Sequence, residues 1–282
     1  MPIITVSREM GSGGFLVSER VAEKLGYMFL DGEAIREMAQ NCGLSAESIR
    51  KVDEKPPPFD AHLDQLVEID LQQIELLILQ AARKGNVLIY GRGAHFILGE
   101  LKGGVFRVRF IAPFEERVER WAEREWLDPE LAREMVRKSD QQRAGFIKYY
   151  FDRNWDNPLE YDLVINTSRI TLDSAVDLVC KGVKDKNLLK SQEENRKAIA
   201  DLIIQKQLRI AILSTADLDG YHVEISCQDG VVTLGGHVHS REEQKLVMEM
   251  AKTIDGIREI WDGIRIKPYR TTSPYPIKPF DG

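Results

Sequence analysis

The chain has few cysteines, no long apolar run and no excess of positive charge. Its three cysteines, Cys42, Cys180 and Cys227, are far apart in the sequence. They form neither a metal-binding nor a redox spacing, which fits a reducing cytosol. No apolar run is long enough to span a bilayer, and the N-terminus lacks the basic and apolar regions of a secretory signal. We therefore expect a cytoplasmic protein with no transmembrane segment.

The net charge of -6 argues against general nucleic-acid binding, so we expect no nucleic-acid partner. The composition, 43% hydrophobic and 30% charged, is that of an ordinary folded protein. A length of 282 residues is enough for two domains and a substantial core.

A glycine-rich loop near the N-terminus, residues 7–14 (SREMGSGG), lies between a predicted buried strand and a predicted amphipathic helix. In such an arrangement backbone N–H groups and the positive end of the helix dipole point at a bound phosphate. The standard pattern G-x-x-x-x-G-K-[ST] adds a lysine for the phosphates and a hydroxyl for magnesium. Here Gly14 and Phe15 stand in those places, and Arg8 stands where the first glycine would be. The loop therefore predicts a phosphate site that lacks the usual lysine.

Strand and helix signals alternate through the first two-thirds of the chain. Such alternation predicts an α/β fold with a parallel sheet covered by helices on both faces. Ligands bind at the carboxyl ends of the strands in this architecture. The predicted strands are 3–6, 27–30, 87–90, 105–111 and 162–165, and the predicted helices include 15–25, 63–81 and 171–183.

A polar, charged stretch from about Lys184 to Asn195 predicts a linker. Beyond it the pattern predicts a small α+β domain in the order helix, strand, strand, helix, strand. Its elements are a helix over 196–212, a hairpin over 221–234, a helix from Ser240 to Ile254 with a capping box, and a strand over 257–266. We expect domains at 1–188 and 196–268, followed by a mobile tail at 269–282.

Four segments of the first domain together resemble the cytidylate kinase-like family of P-loop nucleotide kinases. They are ITVSREMGSGG at 4–14, FLDGEAI at 29–35, GRGA at 91–94 and the long segment SDQQRAGFIKYYFDRNWDNPLEYDLVINTS at 139–168. The resemblance implies a P-loop kinase-type sheet and transfer of a phosphoryl group from ATP, with Mg²⁺, to a nucleoside monophosphate such as CMP.

The altered loop keeps a second hypothesis open. In sequences of this subgroup an arginine often follows the last glycine of the loop, whereas this chain has Phe15. The alternative is a non-catalytic nucleotide-binding sensor or scaffold that signals through the second domain.

The loop supplies the candidates for binding the donor nucleotide. They are Ser7, Gly11, Ser12, Gly13 and Gly14. Arg8 could replace the missing lysine as a phosphate clamp, or it could be a surface arginine paired with Glu9. Magnesium could be held by Ser12, by Ser7, or mainly by phosphates and water. The protein ligand of the metal therefore stays open.

Two residues are candidates for binding the acceptor. Arg92 follows a predicted strand and lies between glycines, and a similar arginine in cytidylate kinases contacts the acceptor nucleotide. The alternative is a turn arginine held by a helix C-terminus. Asp31 ends a predicted strand and either touches the acceptor or caps the next helix; we favour the cap.

Arg117, Arg120 and Arg124 fall on one stripe of the helix after Pro113. Nucleotide kinases carry lid arginines in this region. Interleaved glutamates make a solvated, salt-bridged face an equal alternative. Further along, Asp140 and Arg143 match the lid-like motif of the family. We expect Arg143 to contact phosphate and Asp140 to orient a basic neighbour, so the catalytic candidates are Arg8, Arg124 and Arg143.

Residues 219–266 resemble a BON domain, through the hairpin DGVVTLGG at 229–236 and the closing GIREI at 256–260. The resemblance implies a small binding module whose partner is a lipid, another hydrophobic ligand or a protein. His237 and His239 lie two apart and could form part of a metal site, but exposed turn residues are the favoured interpretation.

Overall fold

The computed structural model describes residues 2–56, 65–99, 101, 103–190, 192–216 and 218–268. The tail that we predict to be mobile, 269–282, lies outside the described residues, as do the first two residues of the predicted helix 63–81.

The first domain is built on a parallel five-stranded sheet whose strands contain short apolar runs, several of them rich in β-branched residues. Its order is β2-β3-β1-β4-β5, so the first strand is central and pairs with both β3 and β4. Its strands are β1 (Ile3–Arg8), β2 (Met28–Leu30), β3 (Val87–Tyr90), β4 (Val105–Ile111) and β5 (Leu163–Asn166). All five strands were predicted from the sequence, and their ends differ by at most two residues.

Helices cover both faces of this sheet, as the alternation predicts. On one face α1 (Gly14–Leu25) and α8 (Leu172–Gly182) pack Val17 and Val179 onto the strands. The helices that contribute to the other face are α2 (Gly32–Asn41), α3 (Ala46–Lys51), α4 (Gln65–Lys84), α5 (Ala94–Ile97) and α7 (Pro129–Phe151). Helix α6 (Phe114–Glu125) packs on α7. Each fully buried aliphatic side chain contributes roughly 1.5–3 kcal/mol to this core.

The predicted linker is largely helical, which corrects the sequence interpretation. The stretch contains α9 (Lys186–Leu189) and the start of α10 (Gln192–Leu213). The amide of Gly104 donates to the carbonyl of Leu188 (2.6 Å), and the side-chain amide of Asn195 donates to the carbonyl of Gly103. The polar composition comes from the exposed charged residues of the stretch. Leu188 and Asn195 attach the stretch to the residues just before β4.

Helix α10 packs against both parts of the molecule. Ile199 and Ile203 belong to the core of the first domain, whereas Ile204 and Leu208 belong to the core of the second. Lys206 of α10 also forms an ion pair with the buried Glu75 of α4. The domain limits 1–188 and 196–268 stay a prediction, but the second begins in a helix that both cores share.

The second domain has the predicted helix, strand, strand, helix, strand order. Its elements after α10 are β6 (Val223–Gln228), β7 (Val231–Val238), α11 (Arg241–Thr253), β8 (Glu259–Asp262) and β9 (Arg265–Ile266). Strands β6 and β7 are antiparallel, and β8 and β9 both pair in parallel with β7. The closing strand predicted at 257–266 is therefore two short strands. The cap by Ser240 is confirmed, since Ser240 accepts from the Glu243 amide (3.1 Å), but Glu243 accepts from the amide of His239 (2.9 Å), one residue before the cap, instead of from that of Ser240 as a capping box requires.

Among the described residues, no helix is both long and apolar enough to cross a membrane.

Candidate functional site

The glycine-rich loop joins the central strand β1 to α1 and adopts backbone conformations that require glycine. Gly11 and Gly13 have φ angles of 78° and 76°, in the left-handed region. A Cβ atom on Gly11 would lie 2.4 Å from the carbonyl oxygen of Arg117, and one on Gly14 would lie 2.9 Å from the Phe110 ring. The loop backbone therefore packs so closely that only glycine fits, with α1 starting at Gly14.

A cleft of about 830 Å³ lies over this loop, near the carboxyl ends of β1 and β3. This is the edge of the sheet where ligands are expected. Backbone from the loop, cationic side chains and a few apolar side chains form its walls. The lining includes Arg8, Gly11, Ser12, Gly13, Gly14, Phe15, Tyr90, Arg120, Trp121, Arg124, Arg143, Thr167 and Leu172.

Arg8 is a largely buried cation in the wall of the cleft, with 12% of its side chain exposed. Its two terminal nitrogens each donate to one carboxylate oxygen of Glu54, both at 2.8 Å. Its guanidinium also lies 4.3 Å from the centre of the Tyr90 ring. The alternative of a surface arginine paired with Glu9 is therefore wrong, because the partner is Glu54.

Glu54 is the residue of this site that the sequence analysis missed. Besides Arg8 it accepts from the backbone amide of Arg92 (2.6 Å), and it lies 3.5 Å from Nε of Arg143. Burial alone would raise the pKa of Glu54, but Arg8 and Arg143 outweigh burial and hold that pKa well below its usual range. The only signal in the sequence was a charged Asp-Glu-Lys run after a short helix, which has no periodicity to place it.

Arg143 projects from α7 into the same wall. One terminal nitrogen donates to Ser139 (2.6 Å) and lies 3.8 Å from Asp140. Its Nε is buried and makes no hydrogen bond within the described chain. Burial, together with the neighbouring charge of Arg8, lowers the pKa of Arg143. The structure thus places Arg8 and Arg143 together at the cleft, as the sequence predicted.

Arg117 is a buried support for the loop, which corrects its assignment to an exposed lid. It donates to the carbonyl of Met10 (3.0 Å) and to Asp140 (2.6 Å), and it pairs with Glu9 (3.2 Å). Asp140 in turn accepts from the Met10 amide (3.0 Å), so the two side chains hold the loop from both sides. Asp140 therefore does orient a basic neighbour, as expected.

The other two arginines of the stripe lie at the rim of the cleft. Arg120 donates to Thr167 (3.1 Å) and pairs with Glu116 (3.1 Å). Arg124 is exposed, pairs with Glu125 and lies 5.3 Å from the centre of the Trp121 ring. The salt-bridged face is thus present, and both side chains still line the cleft.

The two candidate hydroxyl groups both make hydrogen bonds within the protein, which disfavours them as metal ligands. Ser7 accepts from Trp155 Nε1 (2.8 Å) and lies outside the cleft lining. Ser12 lines the cleft, but its buried hydroxyl donates to the carbonyl of Glu9 (2.7 Å). No group of three or more His, Cys, Asp or Glu side chains in the described ranges could hold a metal ion.

The two acceptor candidates both have structural partners. Asp31 caps α2 by accepting from the Ala34 amide (2.9 Å), as favoured from the sequence. Arg92 is buried and donates to the carbonyl of Val52 (3.1 Å), the C-cap of α3, and it pairs with Asp53 (2.9 Å). Neither lines the cleft, so the geometry supports a turn arginine held by a helix C-terminus.

Phe15 forms an apolar wall where a standard loop would carry a hydroxyl. Its ring makes edge contacts with Phe29 (5.5 Å between centroids) and Tyr90 (5.6 Å). Since Tyr90 also lies under Arg8, this cluster connects the loop to the buried arginine.

His237 lies in β7, one residue before its end, instead of in a turn, and it stacks on His222 of the neighbouring chain segment (4.4 Å between centroids). Nδ1 of His239 donates to the Lys267 carbonyl (2.8 Å), and its Nε2 lies 3.3 Å from Asp219. The sequence analysis did not foresee the third histidine, because cross-strand pairing brings it in.

The central β1 strand, the glycine-rich loop and the strand order define a P-loop kinase-type fold. Residues 3–169 match the cytidylate kinase-like family, and residues 200–268 match the BON domain. The chain belongs to the cytidylate kinase-like family and carries a BON domain.

Relatives named cytidylate kinase support this assignment. That of Methanopyrus kandleri is 32% identical over 185 residues, covering 63% of this chain and 90% of the relative. That of Pyrococcus horikoshii is 35% identical over 170 residues, covering 59% and 80%. The crystal structure of an uncharacterized protein from Eubacterium ventriosum superimposes with a TM-score of 0.54 at 22% identity, covering 66% of this chain and all of that one. The last likeness concerns the fold alone.

Proposed function

We propose that the protein transfers a phosphoryl group from ATP to a nucleoside monophosphate, with CMP the first candidate acceptor. The observation that carries the proposal is the cleft of about 830 Å³ where the glycine-rich loop, Arg8 and Arg143 meet. The names of the relatives in Methanopyrus kandleri and Pyrococcus horikoshii favour the cytidine acceptor.

The loop would bind the triphosphate of ATP through the backbone amides of Gly11, Gly13 and Gly14, since the Ser12 amide donates to the Glu9 carbonyl (3.2 Å). Phosphoryl transfer requires positioned positive charge on the phosphates more than covalent chemistry from the protein. Because the loop has no lysine, Arg8 and Arg143 would supply this charge from the wall, with Arg120 and Arg124 closing from the rim. Arg92 and Asp31 would act on the acceptor only indirectly, by shaping the walls behind the cleft.

Magnesium does not fit a protein cage at this site. The hydroxyl of Ser12 is committed to a carbonyl, and Ser7 lies outside the cleft. Magnesium keeps several water ligands and binds readily to nucleotide phosphates, so it would enter with ATP.

The second candidate function is a nucleotide sensor that binds ATP without turnover. Phe15 favours it, because an aromatic ring stands where a metal-binding hydroxyl would be and packs against Phe29 and Tyr90. The BON domain would then report nucleotide binding to a lipid, another hydrophobic ligand or a protein. Its exposed Trp261, 59% accessible, is a candidate contact.

A coupled ADP-release assay over a panel of nucleoside monophosphates with Mg²⁺ tests the proposal. We expect activity with CMP, and Arg143→Ala should lower kcat when it is assayed at a temperature at which circular dichroism shows the variant to be folded. The matched control is Arg133→Ala, since Arg133 lies on the same helix but pairs with Glu115 away from the cleft lining. Absence of phosphoryl transfer to any monophosphate, together with ATP binding by calorimetry, would replace the enzyme with the sensor.

Arg8→Ala gives a separate measurement of the donor site. Loss of a charge-assisted contact should weaken ATP binding by about 1–3 kcal/mol. An unchanged calorimetric affinity would restrict Arg8 to a structural role.

A further inference from the structure

Glu54 does not itself line the cleft, but it contacts Arg8 and Arg143, which do. Arg8 donates to both of its oxygens, the Arg92 amide donates to one of them, and Nε of Arg143 approaches the other at 3.5 Å. A bidentate guanidinium, a second guanidinium and a backbone amide around one oxyanion are the contacts that proteins use for a phosphate group.

One carboxylate, that of Glu54, lies between two guanidinium groups. Arg8 and Arg143 bring two positive charges, and one carboxylate answers both. Asp140 lies 3.8 Å from Arg143 but is already engaged by Arg117 and the Met10 amide. A phosphate group carries more negative charge and more acceptor oxygens than a carboxylate, so it would match the two arginines better.

Arg143 retains an open donor toward the same point. Its Nε is buried and forms no hydrogen bond in the part of the chain that the structure describes. At 3.5 Å the Glu54 oxygen is too far for a good bond. A buried guanidinium nitrogen without a partner costs stability, unless a ligand oxygen completes it.

Glu54 itself has an unfavourable backbone conformation. Its φ angle is 42°, in the left-handed region that a non-glycine residue occupies at a cost. Its carboxylate and the guanidinium of Arg8 lie against the backbone of Gly91, where an added Cβ would be 2.5 Å and 2.4 Å from them. The ion pair therefore holds an unfavourable backbone in place.

We propose that Arg8, Arg143 and the amide of Arg92 form a phosphate subsite that Glu54 fills until a nucleotide phosphate displaces it. The inference rests on the proposed function only in naming a nucleotide as the natural source of the phosphate. Glu54 is then a latch: it stabilises the two buried arginines before binding, and its segment is released on binding.

A latch of this kind lowers apparent affinity, because the ligand must compete with the bound carboxylate. Removing the charge of Glu54 should therefore tighten phosphate binding. A carboxylate that only positions Arg8 predicts the opposite sign, since its loss would leave Arg8 misplaced.

The test measures binding of inorganic tripolyphosphate and of ATP by calorimetry in wild type and in Glu54→Gln, with no turnover required. We expect the Kd for tripolyphosphate to fall on the order of tenfold in Glu54→Gln. Glu47→Gln is the matched control, since Glu47 lies on the neighbouring helix α3, is 69% exposed and faces only Lys51; its Kd should equal that of wild type.

Hydrogen exchange of the wild-type protein gives a readout that does not depend on the variant folding. Amides of residues 50–56 should exchange faster when tripolyphosphate is bound, whereas those of the loop 9–14 should exchange more slowly. Weaker binding by Glu54→Gln, or protection of 50–56 on binding, would overturn the latch, as would failure of both proteins to bind tripolyphosphate. Tighter tripolyphosphate binding with no transfer to any nucleoside monophosphate would instead sustain the latch and remove the proposed enzyme function.

Discussion

The two domains differ in how many charged side chains they bury. The kinase-like domain buries Arg92, Arg109 and Arg117 among carboxylates and carbonyl groups, and it also buries Glu75 and His95. Among the described residues from 196 to 268, the buried charged side chain is Asp201, which accepts from two backbone amides, and the rest of the BON core consists of apolar side chains. A buried charge is tolerated only when it is paired or hydrogen-bonded, so the first domain depends on such partners at more positions than the second does.

This difference means that the two domains are stabilised by different interactions. In the kinase-like domain the ion pairs hold the loop and the cleft walls where a nucleotide would bind. In the BON domain apolar packing around Leu234 and Val247 carries the fold and leaves the surface free to vary. Substitutions at paired arginines should therefore cost far more in the first domain than charge changes do in the second.

The largest effect is expected for Arg117→Ala. The change removes the buried guanidinium that pairs with the half-buried Glu9 and Asp140, leaving them only the longer contacts to Arg109 (3.7 Å) and Arg143 (3.8 Å), and it removes a bond to the loop carbonyl of Met10. Breaking a buried pair in this way costs about 3–5 kcal/mol. Urea unfolding of the full chain measures the loss.

Lys24→Ala is the control for that measurement, because Lys24 forms an exposed pair with Asp177. An exposed pair contributes about 0–1 kcal/mol. If the two variants lost similar stability, the contrast between buried and exposed charge would not hold.

A smaller loss is expected at the junction of the domains, for Asp201→Ala. Asp201 of α10 accepts from the amides of Asp229 and Gly230, both at 2.8 Å, and so fixes the β6–β7 hairpin turn. Leaving these donors unsatisfied should cost about 2–3 kcal/mol in unfolding of the BON domain. Glu249→Ala on the exposed side of α11 should change little, and an equal loss there would assign the effect to helix composition.

A fragment that contains residues 195–268 tests whether the predicted boundary between the two domains is correct. The BON core is complete from Ile204 onward, so we expect dispersed NMR signals and a cooperative melt from this fragment. Ile199 and Ile203 lose their kinase-side partners in it, so we also expect weak self-association on sedimentation. An unfolded fragment would show that α10 needs both cores.

The sequence predicted the elements of both domains better than it predicted the contacts of the site. The strands and α1 follow from local periodicity, and the glycine loop is a local motif. Glu54 lies 46 residues from Arg8, and no pattern near either residue indicates their pairing. Arg117 was assigned to a lid because its helical stripe is visible in sequence, whereas its burial depends on Met10 and Asp140 from distant segments.

Acidification should change the stability of the two domains in opposite directions, through His95 in the first and His239 in the second. Burial, with help from Arg107 and Arg109, lowers the pKa of His95 to about 3. Unfolded His95 gains a proton below about pH 6.5 and folded His95 does not, so stability falls as the pH drops through that range. Between pH 8 and pH 5.5 the free energy of unfolding of the kinase-like domain should fall by about 1.4 kcal/mol in the wild-type protein. This loss should be absent from the His95→Gln variant.

His239 should act with the opposite sign. A hydrogen bond to the Lys267 carbonyl and the nearby Asp219 carboxylate raise the pKa of His239. Its contribution is therefore present at low pH and is lost as the pH rises through the folded pKa. Fragment 195–268 should melt slightly higher at pH 5.5 than its His239→Gln variant does, and a variant that melts higher than the parent would contradict this sign.

The smallest effect on stability is expected for Arg124→Ala, which nevertheless tests whether rim and wall differ in function. Arg124 is 59% exposed, and its contacts are limited to Glu125 and the Trp121 ring. Its loss should change the free energy of unfolding by less than about 0.5 kcal/mol, the usual range for a surface substitution.

If the Arg124 side chain closes over nucleotide phosphates, the same variant should bind ATP several-fold more weakly and show a smaller dependence of binding on salt, because one screened attraction has been removed. Calorimetry at two salt concentrations distinguishes this from loss of packing, which salt would not alter. Arg133→Ala provides the reference, since Arg133 is a partly exposed arginine outside the cleft lining. Equal ATP affinities for the two variants would restrict the functional arginines to the buried wall formed by Arg8 and Arg143.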